Sequence, residues 1–266
     1  MVLAGLLHQP VEAQILIGPV AGAQLGWIQF DDADSRELYR SQPYLGFQGG
    51  ASVQIKMQKR FFLESSLLYV RRGKNLTSNI DGLFQNKATY HYIDLPILFT
   101  KEFKVRFGKS RFYNWYIGAG PNVSYWIGGK GVLNASDLEE NLINPPAYNL
   151  PYKVTFVDSP DEIPLGNMNV SNPNRIQLGL NFSWGVVFEP NKFNKMMFTT
   201  RYLLGHSFYS PDEDGKFGLD GVLFYDDDLQ VRNHMLSMSL FYFFDLKLDS
   251  RNKGKSTSDL TNKRKR

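Results

Sequence analysis

The chain has 266 residues, a hydrophobic content of 42% and a formal net charge of +4, and its length is compatible with one all-β domain. Cysteine is absent, which excludes a disulfide framework and a thiolate metal site. No apolar run reaches the roughly 18 residues of a transmembrane helix, so any argument for membrane insertion must rest on alternating patterns.

The first 13 residues have features of a secretory leader. The segment Leu3 to Leu7 is apolar, and Val11-Glu12-Ala13 before Gln14 resembles a small-residue cleavage site. A basic region ahead of the apolar core is missing. We therefore interpret residues 1–13 as a truncated signal peptide, with a simple apolar N-terminus as the alternative, and place the main domain at 14–248.

The clearest alternation runs from Arg175 to Glu189, where bulky apolar residues at even positions oppose small polar residues at odd positions. Strict alternation predicts a β-strand with one apolar and one polar face. The run is much longer than the usual ~5–6 residues of a globular strand. This combination is typical of a membrane barrel, with lipid outside and a narrow polar lumen inside.

Weaker or shorter versions of the pattern bring the predicted number of strands to eight. They lie at Ile15–Ile28, Tyr44–Met57, Phe61–Arg71, Thr89–Glu102, Asn114–Ile127, Arg175–Glu189, Met196–Ser207 and Arg232–Leu246. Their connections alternate between short and long, as the periplasmic turns and external loops of outer-membrane barrels do. We predict an eight-stranded antiparallel up-and-down transmembrane β-barrel in the outer membrane of a Gram-negative bacterium.

A soluble eight-stranded barrel of lipocalin type is the main structural alternative. Its outer face would be rich in Lys and Glu, whereas the polar face here is mostly Gly, Ser, Asn and Gln. Aromatic residues near both strand ends support the membrane interpretation, since they predict two interfacial girdles. The predicted loop-side girdle contains Trp27, Tyr44, Tyr69, Tyr90, Tyr92 and Trp126, and the turn-side girdle includes Phe61 and Phe62.

Charge is distributed unevenly along the chain. The predicted external loops are acidic, whereas residues 249–266 form a basic tail, which we interpret as disordered and periplasmic. The tail lacks aromatic residues, so no nucleic-acid partner is expected. The cations proposed to contact a periplasmic partner are Lys59, Arg60, Lys104, Arg106, Lys109, Arg111, Lys263 and Arg264.

The lumen of an eight-stranded barrel has room for side chains and little else. By parity, Lys56, Glu64, Asp94 and Arg201 form a predicted polar cluster inside it. Enclosed charges need partners, and Arg201 has two candidates, Glu64 and Asp94. We expect this cluster to fix the shape of the barrel, with a conducting path as the alternative.

Chemistry of other kinds has weak signals. Lipid acyl-chain enzymes need a histidine base and a serine at the membrane edge. His206 and His234 lie near predicted strand ends. The serine nearest to each of them, however, falls on the opposite face of the strand. The segments Asp212–Gly215 and Asp226–Asp228 lack calcium-loop spacing and are interpreted as solvated acidic loops. No catalytic residue, cofactor or metal site is predicted.

Several motifs in the first half of the chain occur together in a known family. They are Gly46-Phe47-Gln48-Gly49-Gly50, the segment Phe61–Tyr69, Gly73-Lys74, the segment Tyr92–Leu98 and the segment Trp115–Pro121. In this order they resemble the PorT-like outer-membrane β-barrel family, over residues 44 to 127. The resemblance implies a barrel fold and a link to the type IX secretion and gliding apparatus, and it carries no catalytic residues.

Three functions remain open at this point. The leading hypothesis is a non-enzymatic accessory or structural role in the cell envelope, linked to protein secretion, with envelope or secretion-complex proteins as partners. The second is a free-standing surface barrel whose external loops bind host, glycan or cations. The third is a lipid acyl-chain enzyme. In every case outer-membrane lipid and lipopolysaccharide are expected to contact the barrel.

Overall fold

The structure is a computed structural model that describes residues 14–79, 85–107, 111–134, 149–157, 163–164, 166–190, 194–211, 214–218 and 226–246. The predicted leader 1–13 and tail 249–266 lie outside the described residues. The elements are β1 (Ile15–Phe30), α1 (Ala33–Leu38), β2 (Tyr39–Gln42), β3 (Tyr44–Gln58), β4 (Phe61–Ser78), β5 (Gln85–Phe107), β6 (Arg111–Asn134), β7 (Leu150–Thr155), β8 (Asn167–Asn169), β9 (Ile176–Phe188), β10 (Asn194–Phe208), β11 (Gly215–Phe217), β12 (Asp226–Asp227) and β13 (Val231–Asp245).

Eight of these strands close into a ring in the order β1, β3, β4, β5, β6, β9, β10 and β13, and β13 pairs again with β1. Neighbours in the ring pair in antiparallel register. The predictions of an all-β chain and of eight ring strands are confirmed. Among the described residues, no helix has the length and apolar character needed to cross a membrane.

The outer surface of the ring is apolar. On β9, Leu178 and Phe182 are exposed whereas Gln177, Asn181 and Ser183 are buried, as the sequence alternation predicts. The exposed fraction reaches 70% at Leu45 and comparable values elsewhere around the ring. A folded protein in water does not present such a contiguous apolar belt, so this face is built for a non-aqueous surrounding.

Three strands run well past the predicted boundaries. The segment Arg72 to Ala88 was predicted as a loop, but β4 continues to Ser78 and β5 already begins at Gln85. The strand β6, predicted to end at Ile127, continues to Asn134. The short strands β7, β8, β11 and β12 extend the sheet beyond the ring. Together with the ends of β4, β5 and β6 on the same side of the ring, they form what we call the extended sheet. The prediction was wrong because it required apolar outward residues, which a strand needs only where its outer face meets lipid.

Lys59 and Arg60 form the tight connection between β3 and β4. Arg60 has a φ of 70°, in the left-handed region, and the strand register shifts between Lys56 and Gln58 just before the turn. The backbone carbonyl of Arg60 accepts a hydrogen bond of 2.8 Å from the Glu102 amide. The turn is thereby tied to β5, and both cationic side chains remain exposed.

Candidate functional site

The centre of the ring holds an ion pair that joins opposite walls. Arg201 on β10 and Glu64 on β4 lie four strands apart in either direction around the ring, and Arg201 Nη2 is 3.1 Å from Glu64 Oε1. The exposed fractions of the two side chains are 4% and 1%. Because both charges are removed from water, each depends on the other for stabilisation.

The second predicted carboxylate, Asp94, pairs elsewhere. Its partner is Arg72 on the adjacent strand β4, which also donates to the Ser124 hydroxyl at 3.2 Å. Of the two candidate partners for Arg201, the structure therefore selects Glu64. The fourth member of the predicted cluster, Lys56, is half-buried near the turn-side end of β3.

A further buried pair was not predicted from the sequence. Lys195 on β10 contacts Glu102 on β5 and donates to the side-chain carbonyl of Gln54 on β3. Its ammonium nitrogen also lies 4.2 Å from the centre of the Phe62 ring. Lys195 lies on the same strand face as Arg201, one residue before the predicted strand start at Met196. Starting the predicted strand one residue earlier would have placed Lys195 in the interior.

Neutral side chains fill the space between the ion pairs. The Tyr116 hydroxyl donates to Thr199 at 2.6 Å, and the Gln48 amide donates to Ser239 at 2.6 Å. Both bonds cross the interior between strands that are not neighbours in the ring. Gly185 leaves room for the Tyr116 ring, because a Cβ at Gly185 would lie 2.9 Å from the ring and 2.0 Å from a backbone oxygen.

The interior space that remains next to these groups is small. One cavity borders Arg72, Asn122, Ser124, Gln177 and Asn233 and has a volume of about 10 Å³. That is room for one water molecule at most. At this position the interior is therefore almost filled by side chains.

A cluster of aromatic side chains closes the loop-side end of the interior, and we call it the aromatic plug. It consists of Tyr90, Tyr92, Trp126 and Tyr209, each 0% exposed. Trp126 lies with ring centres 5.2 Å from Tyr90 and 5.4 Å from Tyr209. Edge and stacked contacts of this kind add to the free energy of burial.

The aromatic plug corrects the predicted loop-side girdle. Tyr90, Tyr92 and Trp126 were expected at headgroup level, but they point inward. Tyr90 and Tyr92 share parity with Asp94, so the alternation that placed Asp94 inside should have placed them there as well. Phe62, predicted in the turn-side girdle, is also buried.

Beyond the aromatic plug, an ion pair fastens the extended sheet. Lys74 on β4 contacts Asp227 on β12, and both side chains are 0% exposed. Asp227 was interpreted as part of a solvated acidic loop, and the structure shows that this was wrong. The strand β12 pairs with β11 and β11 with β8, and β7, β6 and β5 lie between β8 and β4 in the sheet, so sequence spacing gave no indication of the contact.

Tyr152 on β7 packs beside this ion pair. Its hydroxyl donates to the Asn86 side chain at 2.7 Å. Burial, and to a smaller extent the negative charge of Asp227, raise the pKa of Tyr152 well above its ordinary value. The tyrosine therefore stays neutral and serves as a hydrogen-bond donor in the extended sheet.

The family of the chain follows from a comparison with protein-family models. A model described as an outer membrane protein beta-barrel domain matches residues 9–207, which is more than half of the chain. The chain belongs to this family. The protein is accordingly an outer-membrane β-barrel protein, and the apolar outer face of the ring is the surface that meets the lipid.

Solved structures of outer-membrane proteins are similar to the chain at low sequence identity. OprG from Pseudomonas aeruginosa is 12% identical with a TM-score of 0.49, covering 88% of this chain and 95% of that one. Neisserial surface protein A is 10% identical with a TM-score of 0.35, covering 85% and 95%. Ail of Yersinia pestis, in complex with the heparin analogue sucrose octasulfate, is 12% identical with a TM-score of 0.33, covering 87% and 99%. No curated protein matches the chain.

His234, one of the two histidines considered as a catalytic base, is engaged with aromatic side chains on the outer face, whereas His206 is exposed. His234 Nδ1 lies 3.1 Å from the Tyr202 hydroxyl, and the His234 ring stacks on Trp27 with centres 6.1 Å apart. Ser237, the serine considered as its partner, is buried inside the ring, where its hydroxyl donates to the Arg201 carbonyl at 3.4 Å. The structure thus places this histidine and this serine on opposite sides of the barrel wall.

The predicted partner-contact cations fall into three groups. Lys59, Arg60 and Lys104 are exposed at the turn-side end of the ring. Arg106 and Arg111 lie in β5 and β6, near their shared turn, with only their backbone described. Lys109, Lys263 and Arg264 lie outside the described residues. Within the described part of the chain, no group of three or more His, Asp or Glu side chains is arranged to hold a metal ion.

Proposed function

We propose that the protein is a non-enzymatic outer-membrane barrel with an accessory or structural role in the cell envelope. In this proposal the ring crosses the membrane as an up-and-down antiparallel barrel, with the extended sheet outside the cell and the tight turns in the periplasm. The packed interior carries the proposal, because a barrel filled by the Arg201–Glu64 pair and closed by the aromatic plug is a rigid support and a poor conduit.

A link to protein secretion is the more specific part of the proposal. Its support is the motif resemblance to PorT-like barrels over residues 44 to 127, together with the exposed turn cations Lys59, Arg60 and Lys104. Exposed cations gathered at one end of a barrel favour an acidic protein surface as partner. In this account the lipid-embedded ring anchors the complex and the turns make the contact.

A free-standing surface protein remains the second candidate function. The observation in its favour is the extended sheet, in which β7, β8, β11 and β12 continue the barrel beyond the ring. Such a platform holds external loops in fixed positions, as binding surfaces require. An acyl-chain enzyme is the third candidate, and the separation of His234 from Ser237 by the barrel wall speaks against it.

The accessory role predicts that partners depend on the turn cations. Tagged wild-type protein, extracted from native outer membranes in mild detergent, is expected to bring down envelope proteins in stoichiometric amounts. The double variant Lys59→Gln/Lys104→Gln is expected to lose most of them, since each lost contact at a polar rim speeds dissociation and weakens binding. Mass spectrometry of the eluates provides the measurement.

The matched control is Lys87→Gln/Lys153→Gln. It removes the same amount of positive charge from the opposite end of the barrel and should retain the partners. Recovery of the wild-type barrel alone would contradict the accessory role. Recovery of partners without any secretion or gliding component would remove the secretion link and leave the structural role standing.

A further inference from the structure

The outward face of the extended sheet carries a row of cations. They are Arg71 on β4, Lys87 on β5, Lys130 on β6 and Lys153 on β7, one on each of four adjacent strands. The three lysines are exposed and Arg71 is half-buried. We call these four residues the cationic strip. With neighbouring strands about 4.8 Å apart, the strip extends roughly 14 Å along the barrel wall.

The strip places like charges on neighbouring strands next to one another. Lys130 and Lys153 are direct cross-strand partners, so their Cβ atoms lie about 5 Å apart on the same face. Lys130 pairs with Thr89 and Lys87 with Val132, which makes Lys87 and Lys130 diagonal neighbours. Like charges placed directly opposite destabilise a sheet, and an anion that lies over the strip would relieve this repulsion.

Among the described residues, no carboxylate lies within ion-pair distance of these four cations. The buried carboxylates are engaged with other cations, Asp94 with Arg72 and Asp227 with Lys74. Arg71 instead lies against the Phe47 ring, 5.8 Å from its centre. Within the part of the chain that the structure describes, the strip is therefore a positive surface without a carboxylate partner.

The position of the strip identifies its ligand. The same strands carry exposed apolar side chains just below it, among them Leu67, Leu95 and Ile127. Tyr69 and His91, hydrogen-bonded at 2.5 Å, lie at the boundary between the two zones. Along the strands, apolar residues are followed by amphipathic rings and then by cations. A membrane has the matching order of acyl-chain core, interface and charged headgroups.

We propose that the cationic strip binds the phosphate groups of lipopolysaccharide in the outer leaflet. The ligand chemistry is a phosphorylated lipid whose acyl chains lie on the apolar band and whose phosphates lie on Lys87, Lys130 and Lys153. A soluble polyanion such as a sulfated glycan would need the cations but not the apolar band below them. This proposal rests on the orientation given in the proposed function, with the extended sheet outside the cell, but it does not depend on the accessory role.

The test compares purified wild-type protein with the variant Lys87→Gln/Lys130→Gln/Lys153→Gln. Native mass spectrometry in detergent measures binding of diphosphorylated lipid A, of the same lipid without its phosphates, and of sucrose octasulfate. The wild type is expected to prefer diphosphorylated lipid A, and the variant to bind it on the order of a hundred-fold more weakly, since each lysine near an anionic surface contributes about 1 kcal/mol.

The matched control is Lys59→Gln/Lys101→Gln/Lys104→Gln, which removes three exposed lysines from the turn side and should keep wild-type affinity. A heat-dependent gel shift verifies that every variant is folded, and the single variant Lys130→Gln should show an intermediate loss. Equal binding of both lipids, or equal binding by wild type and strip variant, would overturn the proposal. Binding of sucrose octasulfate at the strip without binding of lipid A would also overturn it.

Discussion

Replacing Arg201 by methionine is expected to lower the free energy of unfolding by about 3–5 kcal/mol, the usual effect of removing one partner from a buried ion pair. Glu64 has an exposed fraction of 1%, so its carboxylate would remain in the interior without its cation. The measurement is a urea unfolding curve of the barrel reconstituted in lipid vesicles, followed by the heat-dependent gel shift.

Two further variants separate the loss of the pair from the loss of packing. The double variant Glu64→Gln/Arg201→Met should recover much of the stability, because no buried charge is left behind. Arg232→Met removes an exposed cation that lies 3.2 Å from Asp31, with exposed fractions of 38% and 53%, and should cost less than about 1 kcal/mol. Equal losses in Arg201→Met and Arg232→Met would contradict the interior role of Arg201.

Replacing Lys74 by methionine is expected to release the extended sheet while leaving the ring intact. Asp227 would lose its lysine partner at a site where both side chains are 0% exposed, a change worth about 3–5 kcal/mol. Amide hydrogen exchange in β11 and β12 should therefore be faster by a factor of at least about a hundred. Exchange in β9 and β10 should stay as in the wild type.

Lys87→Met is the matched control for this prediction. Lys87 lies on β5, beside β4 in the same sheet, but its side chain is exposed. It should leave the exchange rates of β11 and β12 unchanged. If Lys74→Met also left them unchanged, the ion pair would not be what holds β12 in place.

The ring could be predicted from the sequence because lipid imposes a strong pattern. Most outward positions in the membrane are apolar, so residues such as Leu178 and Phe182 mark the strand and its orientation at once. The same parity placed Glu64, Asp94 and Arg201 inside. What parity does not give is the pairing across the interior, which depends on how far each strand is shifted along its neighbour.

The extended sheet could not be predicted in the same way. Outside the membrane, the outward face of β4 to β7 carries Asn75, Lys87, Lys130 and Lys153. The apolar half of the alternation is interrupted there, although Val132 remains exposed. The inward half persists at Leu76 and Leu133, which are buried. The signal that was missed is one-sided alternation, in which every second residue is apolar and the residues between them are polar. The contact of Lys74 with Asp227, 153 residues apart, left no local trace.

The most direct test of the account is the conductance of the purified protein in planar lipid bilayers. An interior filled by the Arg201–Glu64 and Lys195–Glu102 pairs and closed by the aromatic plug should give no stable open-channel steps at any voltage that the bilayer withstands. Discrete, long-lived conductance steps from the wild-type protein would contradict the packed interior, and with it the proposal of a structural barrel.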